Sequence, residues 1–309
     1  MKKSRVSLPG IVPAYLTSRG RAYHADALDV LRRLPSDSIA LVLTSPPFAL
    51  RRKKAYGNVA ATEYVEWFWP FAEEIYRVLK PDGSFVMELG GAWNPGSGTR
   101  SLYQYELLIR LVRLFHLAQD FYWYNPSRLP TPAEWVTIRR TRVKDAVNII
   151  WWLSKTENPQ ADNRRVLKPY SKSMQRLLKD GYKAARRPSQ HDIGPHFQRD
   201  NGGAIPPNLL TIPNTCSNDD YLHSCRKAGL PIHPARFPAG VPEFFIRFLT
   251  ESRQTVLDPF AGSNVTGQVA ELLERSWISI EINGDYVEGS RLRFSQAVSS
   301  SAPADSEAA

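Results

Sequence analysis

"SIALVLTSPPF", residues 38 to 48, decides the fold. Residues 39 to 43 are apolar without alternation, as a parallel strand covered on both faces requires. Pro46 and Pro47 then end the strand at Ser45. Parallel strands need crossover helices, and the rest of the chain supplies them. Upstream, "RAYHADALDVLRRLP" reads as a short strand, a turn at residues 24 to 26, and a helix with Ala27, Leu28, Leu31 and Leu34 at helical spacing. Downstream, "TEYVEWFWPFAEEIYRVLKPDG" predicts an amphipathic helix capped by Thr62, kinked or broken at Pro70 and stopped at "KPDG". "SFVMELGG" is the next strand, "SLYQYELLIRLVRLFHLA" the next helix, and "DFYWYN" and "AVNIIWWLSK" are further strands. A polar, basic, turn-rich stretch follows at 160–231. The alternation then returns as helix "VPEFFIRFLTE", strand "QTVLDPF", helix "NVTGQVAELLE" and strand "SWISIEI". Such sheets bind ligands at the carboxyl ends of their strands, which directs attention to residues 45–48 and to the end of "QTVL".

The 309 residues suffice for one large α/β domain with a smaller region inserted, and 42% hydrophobic composition supports a sizeable core. No stretch has the apolar length of a membrane span, and "MKKSRVSLPGIVPAYL" lacks the apolar core of a signal peptide. Two cysteines, Cys216 and Cys225, argue against a disulfide framework or a zinc site and fit the reducing cytoplasm. The net charge of +10 makes a polyanion the first partner to consider. The tail "SSSAPADSEAA" has the composition of a disordered segment.

"DPFAGSN", residues 258 to 264, ends the strand "QTVL". Its small residues let a turn approach a bound molecule, and the helix behind it offers free N–H groups. G-x-G-x-x-G is absent, so this is not the dinucleotide fingerprint. Glu281 ends the next strand, where an acid suits two vicinal ribose hydroxyls. Together they suggest a nucleoside cofactor. A structural turn beside a surface acid is the plainer alternative.

"TSPPF" and "DPFAGSN" together resemble the amino-group DNA methyltransferases that use S-adenosylmethionine. The serine form of [S/D/N]-P-P-[Y/F/W] is similar to the group acting on N4 of cytosine, and the catalytic-type motif preceding the cofactor-type motif is similar to the β class. "RVLKPDGSFV", "FYWYNPSRLP", "RVKDAVNIIWW", "DNGGAIPPNLL" and "HPARFPAGVPEFFIRFLTE" extend the likeness, over about 20–295, to the PvuII-type modification methylases. The resemblance implies a seven-stranded, mostly parallel Rossmann-like sheet with one antiparallel strand. It also implies a basic segment at 1–20, a catalytic part at 21–159, a target-recognition region at 160–231, a cofactor-binding part at 232–295 and a tail at 296–309. Asn264 stands where the commonest family loop has a second glycine; Asn tolerates positive φ better than most residues. The resemblance further implies that Asp258, Phe260, Gly262 and Ser263 line the cofactor, Glu281 holds its ribose, Phe237 and Pro238 face its methionine part, and Asp26 lies near its adenine. A helix cap before "ALDVL" is an equal reading of Asp26.

The implied reaction displaces a sulfonium methyl with an exocyclic amine. Ser45 Oγ and the Pro46 carbonyl are two acceptors that would localise the amine lone pair. Pro46 and Pro47 stiffen the turn, and Phe48 would stack on the base. No catalytic cysteine is required. Glu88, ending "SFVMEL", could relay a proton or be a structural acid. The amine of a duplex cytosine lies within the stack, so the base must be flipped out between aromatic walls. Phe48, Tyr122, Trp123 and Tyr124 are the candidates, although most such aromatics are core. Arg51, Arg52, Lys53 and Lys54, and then Arg139, Arg140, Arg142 and Lys144, read as phosphate clamps or as solvated charged faces. His191, Asp192, Gln198, Arg199 and Asn201 carry side chains that read base edges. The resemblance implies double-stranded DNA as partner, a monomer acting one strand at a time on a palindrome (CAGCTG), and a cognate restriction endonuclease in the same prokaryotic system. An adenine-N6 methyltransferase and a catalytically inactive DNA-binding protein are the alternatives.

Overall fold

The computed structural model describes residue 8 and residues 10–49, 59–181, 199–215, 220–236 and 238–294. Arg51, Arg52, Lys53, Lys54, His191, Asp192, Gln198, Cys216, Phe237 and the tail lie outside them.

Residues 38–48 behave as their pattern requires. The strand β3 (Ile39–Thr44) is buried along its whole length. Ile39 and Val42 pack into the apolar cluster on one face of the sheet, and Leu41 and Leu43 into the cluster on the other. The same division holds in β4 (Leu79–Leu89), where Phe85 and Met87 face one cluster and Val86 the other. The helices α1 (Ala27–Leu31), α2 (Tyr64–Val78) and α3 (Tyr103–Leu111) supply the first cluster. The helices α6 (Gly240–Leu249), α7 (Val265–Leu272) and α8 (Gly284–Arg291) supply the second. The sheet is therefore doubly wound. Two further helices, α4 (Lys172–Asp180) and α5 (Asp220–Lys227), lie between these groups in the chain.

The remaining strands are β1 (Tyr15–Leu16), β2 (Gly20–His24), β5 (His116–Tyr124), β6 (Val147–Ser154), β7 (Leu209–Thr211), β8 (Thr255–Asp258) and β9 (Ser276–Glu281). The sheet order is β1-β2-β9-β8-β3-β4-β6-β5-β7. β2, β9, β8, β3 and β4 run parallel, and β6 pairs antiparallel with both β4 and β5. The expected seven strands with one antiparallel member form the centre. The observed sheet has nine among the described residues, because β1 joins one edge antiparallel and β7 the other edge parallel. Strands of two and three residues carry no periodicity, so the pattern could not announce them.

Four local expectations are corrected in whole or in part. Pro70 lies inside a continuous α2 rather than breaking it, and Glu63, not Thr62, holds the N-cap position, with no side-chain cap. The helix read through residue 118 stops at Leu111, and His116 already opens β5. The helix stops at Val78, just before "KPDG", but that segment is not a separate turn between helix and strand. It is absorbed into β4 as an irregularity, since Ile39 pairs with Leu79 and Leu41 next pairs with Ser84.

β3 and β8 are parallel neighbours, with Leu41 opposite Val256 and Val42 opposite Leu257. Their connections leave in opposite directions along the sheet, one toward β4 and the other toward β9. The carboxyl ends of this pair thus meet at the switch point of the topology, where a crevice forms. Ser45 and Asp258, more than two hundred positions apart, are brought to one edge.

Candidate active site

A cavity of about 430 Å³ opens at that edge. Ser45, Pro46, Pro47 and Phe48 line it from β3; Asp258, Phe260, Gly262 and Ser263 line it from β8 and its turn; Asp26 and Glu281 complete it. Ten of the residues singled out in the sequence therefore surround one space.

The catalytic-type turn is held from below. The Tyr64 hydroxyl of α2 donates to the Pro47 carbonyl at 2.8 Å. This leaves the Pro46 carbonyl as the acceptor of the two prolines not claimed by that bond. Phe48 lies against Gly90, where a Cβ would come within 2.3 Å of the Phe48 ring, so a glycine is required there by close approach. The Tyr103 hydroxyl, whose ring packs edge-on against Tyr64, donates to the Gly90 carbonyl.

Ser45 Oγ donates to Glu88 Oε2 at 2.5 Å. Glu88 does not line the cavity but stands directly behind the serine, with 3% of its surface exposed. Asn148 Nδ2 donates to the other oxygen, Glu88 Oε1, at 2.5 Å. Burial pushes the Glu88 carboxyl up to about 7, against the bonds from Ser45 and Asn148 and the charge of Arg128, which all favour the carboxylate. An acid near neutrality in contact with a hydroxyl at a cavity wall suits proton acceptance.

The cofactor-type turn is built differently. Asp258 is fully enclosed, and its oxygens accept from three donors: Thr44 Oγ1 at 2.7 Å, the Phe260 amide at 3.1 Å and Thr266 Oγ1 at 2.8 Å. Burial raises its carboxyl to about 6 in spite of those donors. Asp258 therefore ties the end of β8 to the end of β3, to its own loop and to α7. Gly262 has φ +50, and a Cβ there would stand 2.9 Å from the His233 ring. Asn264 adopts φ 56 and ψ 43, the left-handed conformation its substitution for glycine demands, and caps α7 by accepting from the Gly267 amide. Its Oδ1 also accepts from Ser279 Oγ, and its Nδ2 donates to the Tyr15 hydroxyl. The Asn264 side chain thus joins three elements, α7, β9 and β1, at the end of the turn.

Glu281 accepts from the amides of Gly262 at 2.9 Å and Asn283 at 2.8 Å, one on each oxygen. Burial pushes its carboxyl up from the ordinary value. A carboxylate offers about four lone-pair sites, so capacity remains for a hydroxyl donor. Asp26 is the helix cap, its Oδ1 accepting from the Leu28 amide at the start of α1, and it also borders the cavity. S-adenosylmethionine fits this donor and acceptor set. Gly262 and Ser263 could offer a close backbone, Glu281 a buried acid suited to a diol, and Phe260 an apolar wall within an aromatic group that includes Trp67 and Phe71.

Other candidates are elsewhere. Pro238 is buried at the start of α6 and does not line the cavity, although Ala235 and Arg236 just before it do. Trp123 belongs to the core, with Nε1 donating to the Ile212 carbonyl. Tyr122 is exposed and donates to Asp120, and Tyr124 is half-buried; neither borders the cavity. Strand alternation explains this, since β5 sends its side chains to the two faces rather than past its end. Arg199 and Asn201 are exposed, far along the chain from any cavity residue. Arg139, Arg140, Arg142 and Lys144 form an exposed basic loop, in which Arg139 stacks on Trp135 and Lys144 donates to the carbonyls of Pro126 and Arg128.

The sequence reading missed Thr44, Tyr64, Trp67, His233 and Asn148. Thr44 had a signal: it is the one hydroxyl ending an apolar run that leads into Ser45. Tyr64 and Trp67 sit in an aromatic-rich helix start that reads equally well as core.

Residues 39–291 match the family described as DNA methylase. The chain is 54% identical over 290 residues to the type II methyltransferase M.PvuII of Proteus hauseri, covering 92% of this chain and 86% of that one. It is 27% identical over 273 residues to the DNA adenine methyltransferase YhdJ of Escherichia coli, covering 86% of this chain and 79% of that one. The solved structure of PvuII DNA methyltransferase, described as cytosine-N4-specific, superposes with a TM-score of 0.76 at 49% identity, covering 92% of this chain and 89% of that one. The sheet order, the paired strand ends and the sequence match converge on one conclusion: this chain belongs to the DNA methylase family and is a DNA methyltransferase.

Proposed function

We propose that the protein transfers a methyl group from S-adenosylmethionine to N4 of a flipped-out cytosine in a short site of double-stranded DNA. One observation carries the reading: Ser45, backed by Glu88, faces the same cavity as Gly262 and Glu281. When bound, the cofactor supplies an electrophilic methyl on sulfonium sulfur. The protein supplies the rest. Ser45 Oγ and the Pro46 carbonyl accept from the target NH₂ and draw its lone pair out of conjugation. Both reactants are held in one pocket, which removes the entropy cost of their meeting. The amine nitrogen would take the methyl carbon, and the cofactor held by Gly262, Ser263 and Glu281 would keep the electron pair of the broken carbon–sulfur bond. The extra proton on nitrogen passes to Ser45 Oγ as the serine's own proton passes to Glu88.

The choice of cytosine is supported by 54% identity to M.PvuII and by the cytosine-N4-specific solved structure. To the same reading belong the palindrome CAGCTG, action as a monomer and a cytoplasmic location, and the type II designation of M.PvuII supports a setting in a restriction–modification system. Among the described residues no helix is long and apolar enough to cross a membrane. In this reading residues 160–231 carry the recognition loops, and Arg51, Arg52, Lys53 and Lys54 meet phosphates beside the flipped base. Adenine-N6 methylation is the second reading, since YhdJ is also a relative and Ser45 would accept from either amine. The intact bond between Ser45 and Glu88 weighs against an inactive DNA-binding protein. The test is incubation with labelled cofactor and duplex DNA containing CAGCTG, followed by digestion to nucleosides. Label in N4-methylcytosine is the expected result; label confined to N6-methyladenine or 5-methylcytosine overturns it.

A further inference from the structure

Two residues with no role so far stand behind the pair of Ser45 and Glu88. Asn148, at the start of β6, is 8% exposed and gives its Nδ2 to Glu88 Oε1 at 2.5 Å. Its Oδ1 accepts from Arg128 Nη1 at 3.3 Å. Arg128 lies in the loop after β5 and is half-buried.

The donors in this chain run in one direction. A guanidinium can only donate, so Asn148 must present its oxygen to Arg128. Its NH₂ group then faces Glu88 and can only donate, so Oε1 is an acceptor. A proton on Glu88 could sit only on Oε2, the oxygen beside Ser45. While Oε2 is bare, the serine hydrogen points inward and its lone pairs point into the cavity, where an amine must be accepted. With a proton on Oε2 the bond reverses. Glu88 then donates to Ser45, the serine hydrogen turns toward the cavity, and it opposes the N–H of the incoming amine.

We propose that Arg128 and Asn148 are positioning residues that set the polarity of Ser45, holding it as an acceptor toward the target amine. The inference rests on the methyl-transfer reading above. The groups facing Glu88 are Ser45 at the end of β3, Asn148 on β6, Arg128 in the loop after β5, Tyr64 on α2 and Tyr103 on α3. Tyr64 and Tyr103 direct their hydroxyls to the carbonyls of Pro47 and Gly90, so neither contributes a donor to the carboxylate. Ser45, Asn148 and Arg128 are then the groups that favour the ionised acid against burial, in agreement with its position near neutrality.

The test is the pH profile of kcat at saturating DNA and cofactor. Wild-type enzyme is compared with Asn148→Asp, Arg128→Gln and Arg128→Lys, with cofactor affinity measured by calorimetry. Asn148→Asp removes the donor and adds a negative charge, so the acid limb moves to higher pH by about one unit or more. Arg128→Gln moves it the same way by less, Arg128→Lys restores it, and cofactor affinity is unchanged in all three. Arg128→Gln changes a loop residue and keeps the test valid if Asn148→Asp fails to fold. A fall in kcat with the limb unmoved overturns the inference, as does a profile identical to wild type. Nucleoside digestion of the same reactions separates the two ideas. N6-methyladenine as product removes the cytosine reading but not the polarity, because both targets are exocyclic amines.

Discussion

The turns after β3 and β8 sit side by side at the ends of parallel neighbours, yet they are made rigid in opposite ways. The turn after β8 is fixed by saturation: Asp258 accepts from three internal donors, and Asn264 bonds to Gly267, Ser279 and Tyr15. Its polar side chains are consumed by the protein, and backbone, small residues and the Phe260 ring are left to face the ligand. The turn after β3 is fixed by proline geometry and by Tyr64 on the Pro47 carbonyl, and acceptors at Ser45 and Pro46 remain available to a substrate. A cofactor site can use its side chains on itself. A site that must act on an amine needs lone pairs left over. Thr44 joins the two, placing its hydroxyl on Asp258 one residue before Ser45.

The comparison can be broken most sharply at Ser45. Ser45→Ala is expected to lower kcat roughly a hundred- to thousand-fold, the cost of deleting one preorganised polar group at a reacting centre. Cofactor affinity by calorimetry should be unchanged; an equal loss in both would erase the distinction between the turns. Asp258→Ala should do the reverse in kind. It strips the acceptor from three buried donors, so thermal and denaturant melts should show a loss of roughly 3 kcal/mol, with weakened cofactor binding.

Acid–base linkage tests the same contrast without mutation. Glu88 rises from 4.5 in the unfolded chain to about 7, and Asp258 from 3.8 to about 6. A raised carboxyl binds its proton more tightly in the folded state, so stability is greatest below the unfolded value and is lost as pH rises to the folded one. The ligand-free protein should therefore lose stability between about pH 4 and 7, by roughly 3 kcal/mol from Glu88 at 1.36 kcal/mol per unit. Urea melts across that range should show the slope in the wild type and a shallower one in Glu88→Gln.

Gly262→Ala places a methyl against His233 at a positive φ, and should cost about 1–2 kcal/mol of cofactor binding while leaving DNA binding alone. The smallest effect is expected for Tyr64→Phe. Loss of one hydrogen bond to the Pro47 carbonyl is worth about 1 kcal/mol and should appear as a several-fold drop in kcat, with cofactor affinity intact.

Much of this was legible in the chain. "IALVLT" before two prolines announces a buried parallel strand, because only a strand covered on both faces is apolar without alternation. The spacing of "DPFAGSN" and Glu281 marks the second ligand edge. Tyr122, Trp123 and Tyr124 stand at a strand end but do not border the cavity, because side-chain direction follows the pleat, and Trp123 lies in the core. Thr44, Tyr64 and Asn148 escaped because each acts through a partner distant in sequence. Tyr64 is 17 positions from Pro47, Asn148 is 60 from Glu88 and Thr44 is 214 from Asp258.

By itself, then, the sequence determined the long strands and helices and the two turns that end β3 and β8, since strand burial and turn chemistry are local properties written in neighbouring positions. Only the tertiary structure decided which of those residues share a cavity and which way their protons point. The β3–β8 pairing brings Ser45 beside Asp258, and the chain from Arg128 through Asn148 to Glu88 turns the serine's lone pairs outward. Hydrogen-bond direction depends on which groups meet in space, and strand order, not chain order, settles that.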